Sequence, residues 1–399
     1  MDTKPPFGHL IGGMLLVAGT SIGAGMLALP VVTAEGGFWP SLGIYALCWA
    51  FMTCTGLLLL EVCLRLPPQV NLVSMAGAYL GRFGKVFAWV LYLFLFYCLS
   101  TAYISGGGAL LLGWTGFDVP AWAGGLLFVA LFSPFVYFGA RSVDRINWVL
   151  MAGLIISYFS FILLGARYVD SSHLQLADWP MSLKALPVIF TAFSYQGVIP
   201  SLATYMKRDA RRLRIAILGG TSIAFVIYVI WELLILGIIP LEGEMGLKQA
   251  MASGASAVEP LKAHIGGGVV YSLGQSFAFF AITTSFLGVA LGLMDFLADG
   301  LHLAKRGLKR LLLAVITFIP PLLMALTYPD AFLKALGYAG GIGCALLLGF
   351  LPILLAWIAR EQHAKGPILL RGGRAVLLLL FLFVGLELFM EVFYEFISA

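Results

Sequence analysis

Eleven apolar runs, each bounded by charge, proline or glycine, divide this chain: 8–32, 38–64, 84–113, 121–139, 146–167, 185–205, 214–239, 269–298, 311–327, 335–358 and 375–396. A helix rises 1.5 Å per residue and needs about 20 apolar residues to cross roughly 30 Å of hydrocarbon, so each run is long enough to span a bilayer, some with tilt. Lipid offers no partner for a free N–H or C=O, which forces such runs to be helical. No segment shows the alternating ten-residue pattern of a membrane β-barrel. Of the 399 residues, 61% are hydrophobic and 11% charged. A water-facing surface usually needs about 25% charged residues, so a soluble enzyme, a nucleic-acid binder and a disordered scaffold are excluded. The expected fold is an all-α polytopic membrane protein of about eleven helices.

The positions of Lys and Arg predict orientation. Nineteen of the 24 fall at the N-terminus (Lys4) or in the even-numbered loops, among them Arg65, Arg82, Lys85, Lys207–Arg214, Lys305–Arg310, Arg360 and Lys365. Only Arg167, Lys184, Lys248, Lys262 and Lys334 lie in the opposite loops. The pattern places the protein in the cell's inner membrane with its N-terminus cytoplasmic and its C-terminus external. Val32-Thr33-Ala34 imitates a signal-peptidase site, but the preceding run exceeds a signal h-region of about 7–15 residues, so helix 1 is expected to be retained. The five cysteines lie within apolar runs and read as small buried hydrophobes, and the five histidines sit at or beyond span ends. Neither a membrane-embedded enzyme nor a channel is indicated, since no reactive cluster and no repeated filter segment occurs. No metal beyond a transported Na⁺, no nucleic acid and no protein partner is implied.

Helix 1 carries Gly19-Thr20-Ser21-Ile22-Gly23-Ala24-Gly25, and helix 6 carries Ser194-Tyr195-Gln196-Gly197 with Pro200 beyond. Each glycine disfavours a helix by about 1 kcal/mol relative to Ala, so both runs are expected to break at mid-membrane. The two helices start five spans apart and therefore enter from opposite sides. An inverted repeat does this, with helices 1–5 in residues 1–168, helices 6–10 in 169–358, and a loop plus helix 11 in 359–399. A broken helix exposes N–H groups at one end and carbonyls at the other, which suit the carboxylate and ammonium of an amino acid. Close packing through small residues is the other reading of the glycines.

The stretch Ala18–Leu27 resembles the opening helix of the hydroxy and aromatic amino acid permeases. Leu59-Leu60-Glu61-Val62, Ala102–Gly106, Pro187–Thr191, Val198–Leu202, Thr284–Val289 and Ala335–Gly340 extend the resemblance through nearly the whole chain. That family belongs to the amino acid–polyamine–cation superfamily. The resemblance implies the five-plus-five fold of the neurotransmitter–sodium symporters and secondary import of an aromatic L-amino acid, most similar to the tyrosine-specific branch, with tryptophan or a broad aromatic range as the alternative. Better-known members have Gly and His where this chain has Ser194 and Gln196; a Gln offers a donor and an acceptor to a phenol or an indole alike.

The substrate site implied consists of Thr20, Ser21, Gly23, Ala24 and Gly25 of helix 1, Phe193, Ser194, Tyr195, Gln196 and Gly197 of helix 6, Tyr97 and Ser100 of helix 3, and Phe280 of helix 8. By resemblance to the sodium symporters, the carbonyls of Gly19, Ile22 and Ala281 with the hydroxyls of Thr284 and Ser285 form a candidate ion site. The permeases themselves are generally proton-coupled, so the co-transported ion is expected to be H⁺ or Na⁺, with no other cofactor. Hydroxyls bonded to their own helix backbone are the alternative for Thr284 and Ser285. Among the acids, Glu232 is a proton or gate candidate, or a structural hydrogen-bonding group. Asp295 and Asp299 are candidates for an inner gate. Glu61 is expected to pair with Arg65 along the helix surface, and Glu387 and Glu391 of helix 11 are given no transport role.

Overall fold

The computed structural model describes residues 7–68, 70–115, 120–328, 330–362 and 366–396. Lys4, His363 and Lys365 lie outside the described residues. Every apolar run is helical, and no strand occurs among the described residues. Helix 1 is Phe7–Ser21 and Gly25–Thr33, two halves bent by 55°. Helix 2 is Phe38–Arg65, helix 4 Ala121–Phe138 and helix 5 Ala140–Gly165. Helix 6 consists of Leu186–Ala192 and Ile199–Tyr205. Helices 7, 8 and 9 are Ala210–Ile238, Val269–Gly300 and Gly307–Thr327. Helix 10 runs from Ala331 through a wide π-type stretch, Ala339–Phe350, to Gln362, and helix 11 is Gly373–Phe396.

Helix 3 belongs to a longer element, Leu72–Thr115, that turns sharply at Gly81, where φ is 66°. Only glycine adopts this conformation at little cost. The short piece before the turn is started by a reciprocal cap: Ser74 N–H donates to Asn71 Oδ1 and Asn71 N–H to Ser74 Oγ, each at 2.8 Å. Helices 3 and 4 approach backbone to backbone, since a Cβ on Gly108 would stand 2.5 Å from the Gly125 nitrogen. Helices 1 and 7 likewise touch through Gly220, where a Cβ would meet the Met14 carbonyl and Val17. Apolar chains gain no hydrophobic drive from leaving lipid, so such close packing supplies the association.

Glu61 departs from expectation. It is fully buried and does not pair with Arg65. Its carboxylate accepts Nε and Nη2 of Arg360 on helix 10 at 2.9 and 2.8 Å, and the N–H groups of Leu369 and Leu370 at 2.5 and 2.9 Å. Arg65 instead donates to the carbonyls of Ala359 and Pro367. A buried carboxylate is tolerable only when its lone pairs are filled, and four donors fill these. The network binds the ends of helices 2 and 10 to the loop leading into helix 11.

The two long polar segments lie on the opposite side. They hold the short helices Ser171–Gln175, Trp179–Ser182, Leu247–Ser253 and Leu261–Ile265. Asp178 N–H bonds Gly36 O at 2.9 Å and Ala257 N–H bonds Leu27 O at 3.1 Å, so both segments close over the end of helix 1.

Candidate functional site

A helix that stops at mid-membrane leaves its last carbonyls without intrahelical donors. Both broken helices do this, and one side chain answers both. The Tyr228 hydroxyl of helix 7 lies 2.5 Å from Ser21 O, at the end of helix 1's first half, and 2.7 Å from Ala192 O, at the end of helix 6's first half. A phenol has one proton, so it satisfies one carbonyl at a time and leaves the other able to accept. Phe193 packs on the Tyr228 ring at 4.9 Å between centroids, and Tyr45 and Phe225 extend the aromatic surface. Tyr228 was not singled out from sequence. Its signal was the i,i+4 spacing to Glu232, which puts both on one face of helix 7.

Around the first break, Gly23, Ala24 and Gly25 sit where side chains would obstruct. A Cβ on Gly23 would run into the Ser285 hydroxyl, and one on Gly25 would come 3.1 Å from Ala192 Cα. Ala24 N–H donates to Ser285 Oγ at 3.2 Å, bringing helix 8 to the break. The Ser21 hydroxyl turns back to Val17 O and the Thr20 hydroxyl to Leu16 O. Thr20 is exposed, so its side chain does not join the central cluster, and a Cβ on Gly19 would meet open space. Ile22 N–H still bonds Ala18 O at 2.8 Å.

The second break differs from expectation in where its polar side chains point. Gln196 is buried and turns to helix 2, donating to Met52 O at 3.2 Å and Thr55 Oγ1 at 3.1 Å, while its Oε1 accepts Tyr195 N–H. The Tyr195 hydroxyl also reaches Met52 O, in space left by Gly56. Ser194 bonds Thr191 O at 2.7 Å. Gly197 faces Tyr92, whose hydroxyl is 3.3 Å from where a Cβ would stand. Gln196 therefore anchors helix 6 to helix 2 and does not present its amide to the space between the breaks.

Four further residues stand elsewhere than expected. Tyr97 donates to Ile316 O of helix 9 at 2.9 Å, a packing bond away from the breaks. Phe280 lies against helix 5, where a Cβ on Gly153 would meet its ring, because helix 8 turns that face outward. Asp295 pairs with Lys305 in the adjoining turn and Asp299 is exposed, so both belong to a solvated helix end and form no gate with another loop. Ser100 is buried, and its hydroxyl has no hydrogen-bond partner among the described residues.

At the candidate ion site, the Thr284 hydroxyl lies 2.9 Å from Phe280 O and 3.1 Å from Ala281 O, within its own helix. Ser285 alone of the pair engages helix 1. Glu232, buried at 1% exposure, receives the hydroxyls of Tyr45, at 2.7 Å, and Thr33. It thereby links helix 7 to helix 2 and to the far end of helix 1. Among the described residues, no group of His, Cys, Asp and Glu could hold a metal ion.

Residues 8–390 match the model of the tryptophan/tyrosine permease family. The chain belongs to that family. It is 36% identical over 375 residues to the tyrosine-specific transport system 1 of Haemophilus influenzae, covering 92% of this chain and 93% of that one. It is 33% identical over 385 residues to the tryptophan-specific transport protein of Pseudomonas aeruginosa, covering 94% and 92%. The solved structure of MhsT in complex with L-phenylalanine superposes with a TM-score of 0.65 at 15% identity, over 95% of this chain and 98% of that one. This likeness gives the fold. The permease is a multi-pass membrane transporter and not an enzyme, and its two helix breaks meet at Tyr228.

Proposed function

We propose that this permease imports aromatic L-amino acids, tyrosine first among them, by alternating access in symport with a proton. The observation that carries the reading is the junction at Tyr228. Two helix ends bring carbonyls without intrahelical donors to the Tyr228 hydroxyl, beside the start of helix 1's second half and a wall of Phe193, Tyr45 and Phe225. Carbonyls suit an ammonium, a helix N-terminus suits a carboxylate, and the rings suit an aromatic side chain. The relatives named for tyrosine and tryptophan transport support the substrate class.

The proton reading rests on Glu232. An acid in a span is costly and marks an ion pathway or relay by default. A 270 Å³ cavity on the far side is lined by Leu236, one turn along helix 7 from Glu232, and by Ala34 and His173. The charge pattern supports a cytoplasmic N-terminus in the inner membrane, which makes that side external. The paired breaks support a five-plus-five division at residues 168 and 358, in which the bundle of helices 1, 2, 6 and 7 rocks against the rest.

One observation favours sodium as the second reading: Ser285 reaches Ala24 at the break. Radiolabelled tyrosine uptake into proteoliposomes under separate inward proton and sodium gradients distinguishes them. Uptake driven by protons and lost in Glu232→Gln supports the reading. Uptake driven by sodium alone and lost in Thr284→Ala with Ser285→Ala replaces it, and no aromatic uptake under either gradient overturns the transport assignment.

A further inference from the structure

Helix 11 faces lipid along most of its length, yet it buries an acid. Glu387 is 1% exposed, and neither of its carboxyl oxygens meets a hydrogen-bond partner among the described residues. It lies near the thiols of Cys48 on helix 2 and Cys344 on helix 10, one turn along helix 11 from Phe383, which packs on Phe51 and Phe190. No cation faces it from helix 6, whose first half is Leu-Pro-Val-Ile-Phe-Thr-Ala. Arg360 and Glu361 of helix 10 stand at the other end of that helix, and Arg360 is committed to Glu61. Among the described residues, the remaining titratable neighbour is Glu391, one turn further along helix 11. An ionised carboxylate without a donor costs far more in an apolar seam than a neutral acid, which makes this a place where a proton can be bound.

Water comes within one helical turn of Glu387. Glu391 borders a cleft of 180 Å³ lined also by Leu183, Lys184, Pro187 and Met390. A mechanical connection exists as well, through the wide turns of helix 10. A Cβ on Gly341 would strike the Glu391 carboxylate, and one on its neighbour Gly340 would strike Pro187 O and Thr191 Oγ1 of helix 6. Thr191 in turn bonds Leu336 O at 2.8 Å, and the Cys344 thiol faces Ser194 and Thr191. Two adjacent glycines thus have helix 11's acids on one side and the first half of helix 6 on the other.

We propose that Glu387 is a second proton-binding site of the permease, reached from the external side through the Lys184–Glu391 cleft, and that its protonation lets helix 11 seat against helix 10 and so holds helix 6's first half in place. The proton comes from external water and returns to it; no other reactant is involved. The proposal rests on the transport reading and the orientation above, and it adds a site that neither Glu232 nor the substrate junction contains.

Two measurements on the full-length protein in lipid test it. Infrared difference spectra report un-ionised carboxylic acids directly: the wild type is expected to show a carboxylic C=O band that Glu387→Gln lacks and that shifts on exchange into heavy water. In proteoliposomes, tyrosine counterflow, which needs no gradient, is expected to persist in Glu387→Gln within about twofold of wild type. With the pH set equal on both sides, so that no proton gradient drives uptake, raising it by about two units is expected to slow wild-type counterflow about tenfold and to change Glu387→Gln counterflow less than about twofold. Absence of the infrared band in the wild type overturns the proposal, as does an unchanged pH response in the variant. Glu387→Asp, which keeps a titratable group, is expected to restore the pH response, and failure to do so with counterflow intact also overturns it. Failure of wild-type counterflow with every aromatic amino acid sinks the transport reading instead and leaves the infrared assignment standing.

Discussion

The hydroxyl of Tyr228 stands 2.5 Å from the carbonyl oxygen of Ser21, closing the open end of a helix that stops halfway across the membrane. The same oxygen is 2.7 Å from Ala192 O. Tyr228→Phe removes the proton that reaches both carbonyls. A buried hydrogen bond contributes about 0.5–1.5 kcal/mol net. The variant is expected to melt a few degrees lower in detergent and to lose about tenfold in apparent tyrosine affinity, measured by scintillation proximity binding.

Gly23 is set against Ser285, and any side chain there must displace it. Gly23→Leu is expected to abolish binding and uptake while the protein still inserts and elutes as a folded species on size exclusion. Binding and uptake that survive Gly23→Leu would show that the substrate does not use this junction.

Removing one member of a buried ion pair leaves the other uncompensated, at a cost of about 3–5 kcal/mol. Glu61→Leu strands Arg360 and the amides of Leu369 and Leu370. It is expected to lower the thermal midpoint sharply, and far more than Glu361→Leu, whose partner Arg374 is exposed. Equal melting temperatures would mean that the network contributes little.

Asp170 caps the short helix Ser171–Gln175, its Oδ1 accepting Ser172 N–H at 2.8 Å, and this bond holds its carboxyl below the usual carboxylate range. A lowered folded-state value means that the contribution is present above the unfolded value of about 3.9 and is lost as pH falls through the folded one. Asp170→Ala is expected to reduce the melting temperature slightly at neutral pH, with the difference from wild type vanishing in acid. A constant difference across pH would assign the effect to the cap geometry alone.

Much of the architecture was legible because the bilayer imposes a length and a polarity on each span. The break in helix 1 was legible too, since Gly19, Gly23 and Gly25 weaken one stretch of a long apolar run. Side-chain direction in the centre was not. Gln196 looked like a ligand because it is polar at a break, but Met52 O and Thr55 supply it with partners from helix 2, 141 to 144 residues away. Glu61 looked local for the same reason: Arg65 is one turn away in sequence, whereas Arg360, 299 residues on, has the better geometry. Tyr97 and Phe280 show the limit of composition, because in a chain with 14% aromatic residues most rings pack against neighbouring helices. Tyr228 went unnoticed because a lone tyrosine in a helix resembles every other.

The grip of Glu61 on Arg360 and on the two amides behind it has a kinematic consequence. At that face the ends of helices 2 and 10 are pinned together by four donors. The bundle of helices 1, 2, 6 and 7 therefore pivots about this pin, and a doorway on the N-terminal side opens at the edge of the bundle farthest from it.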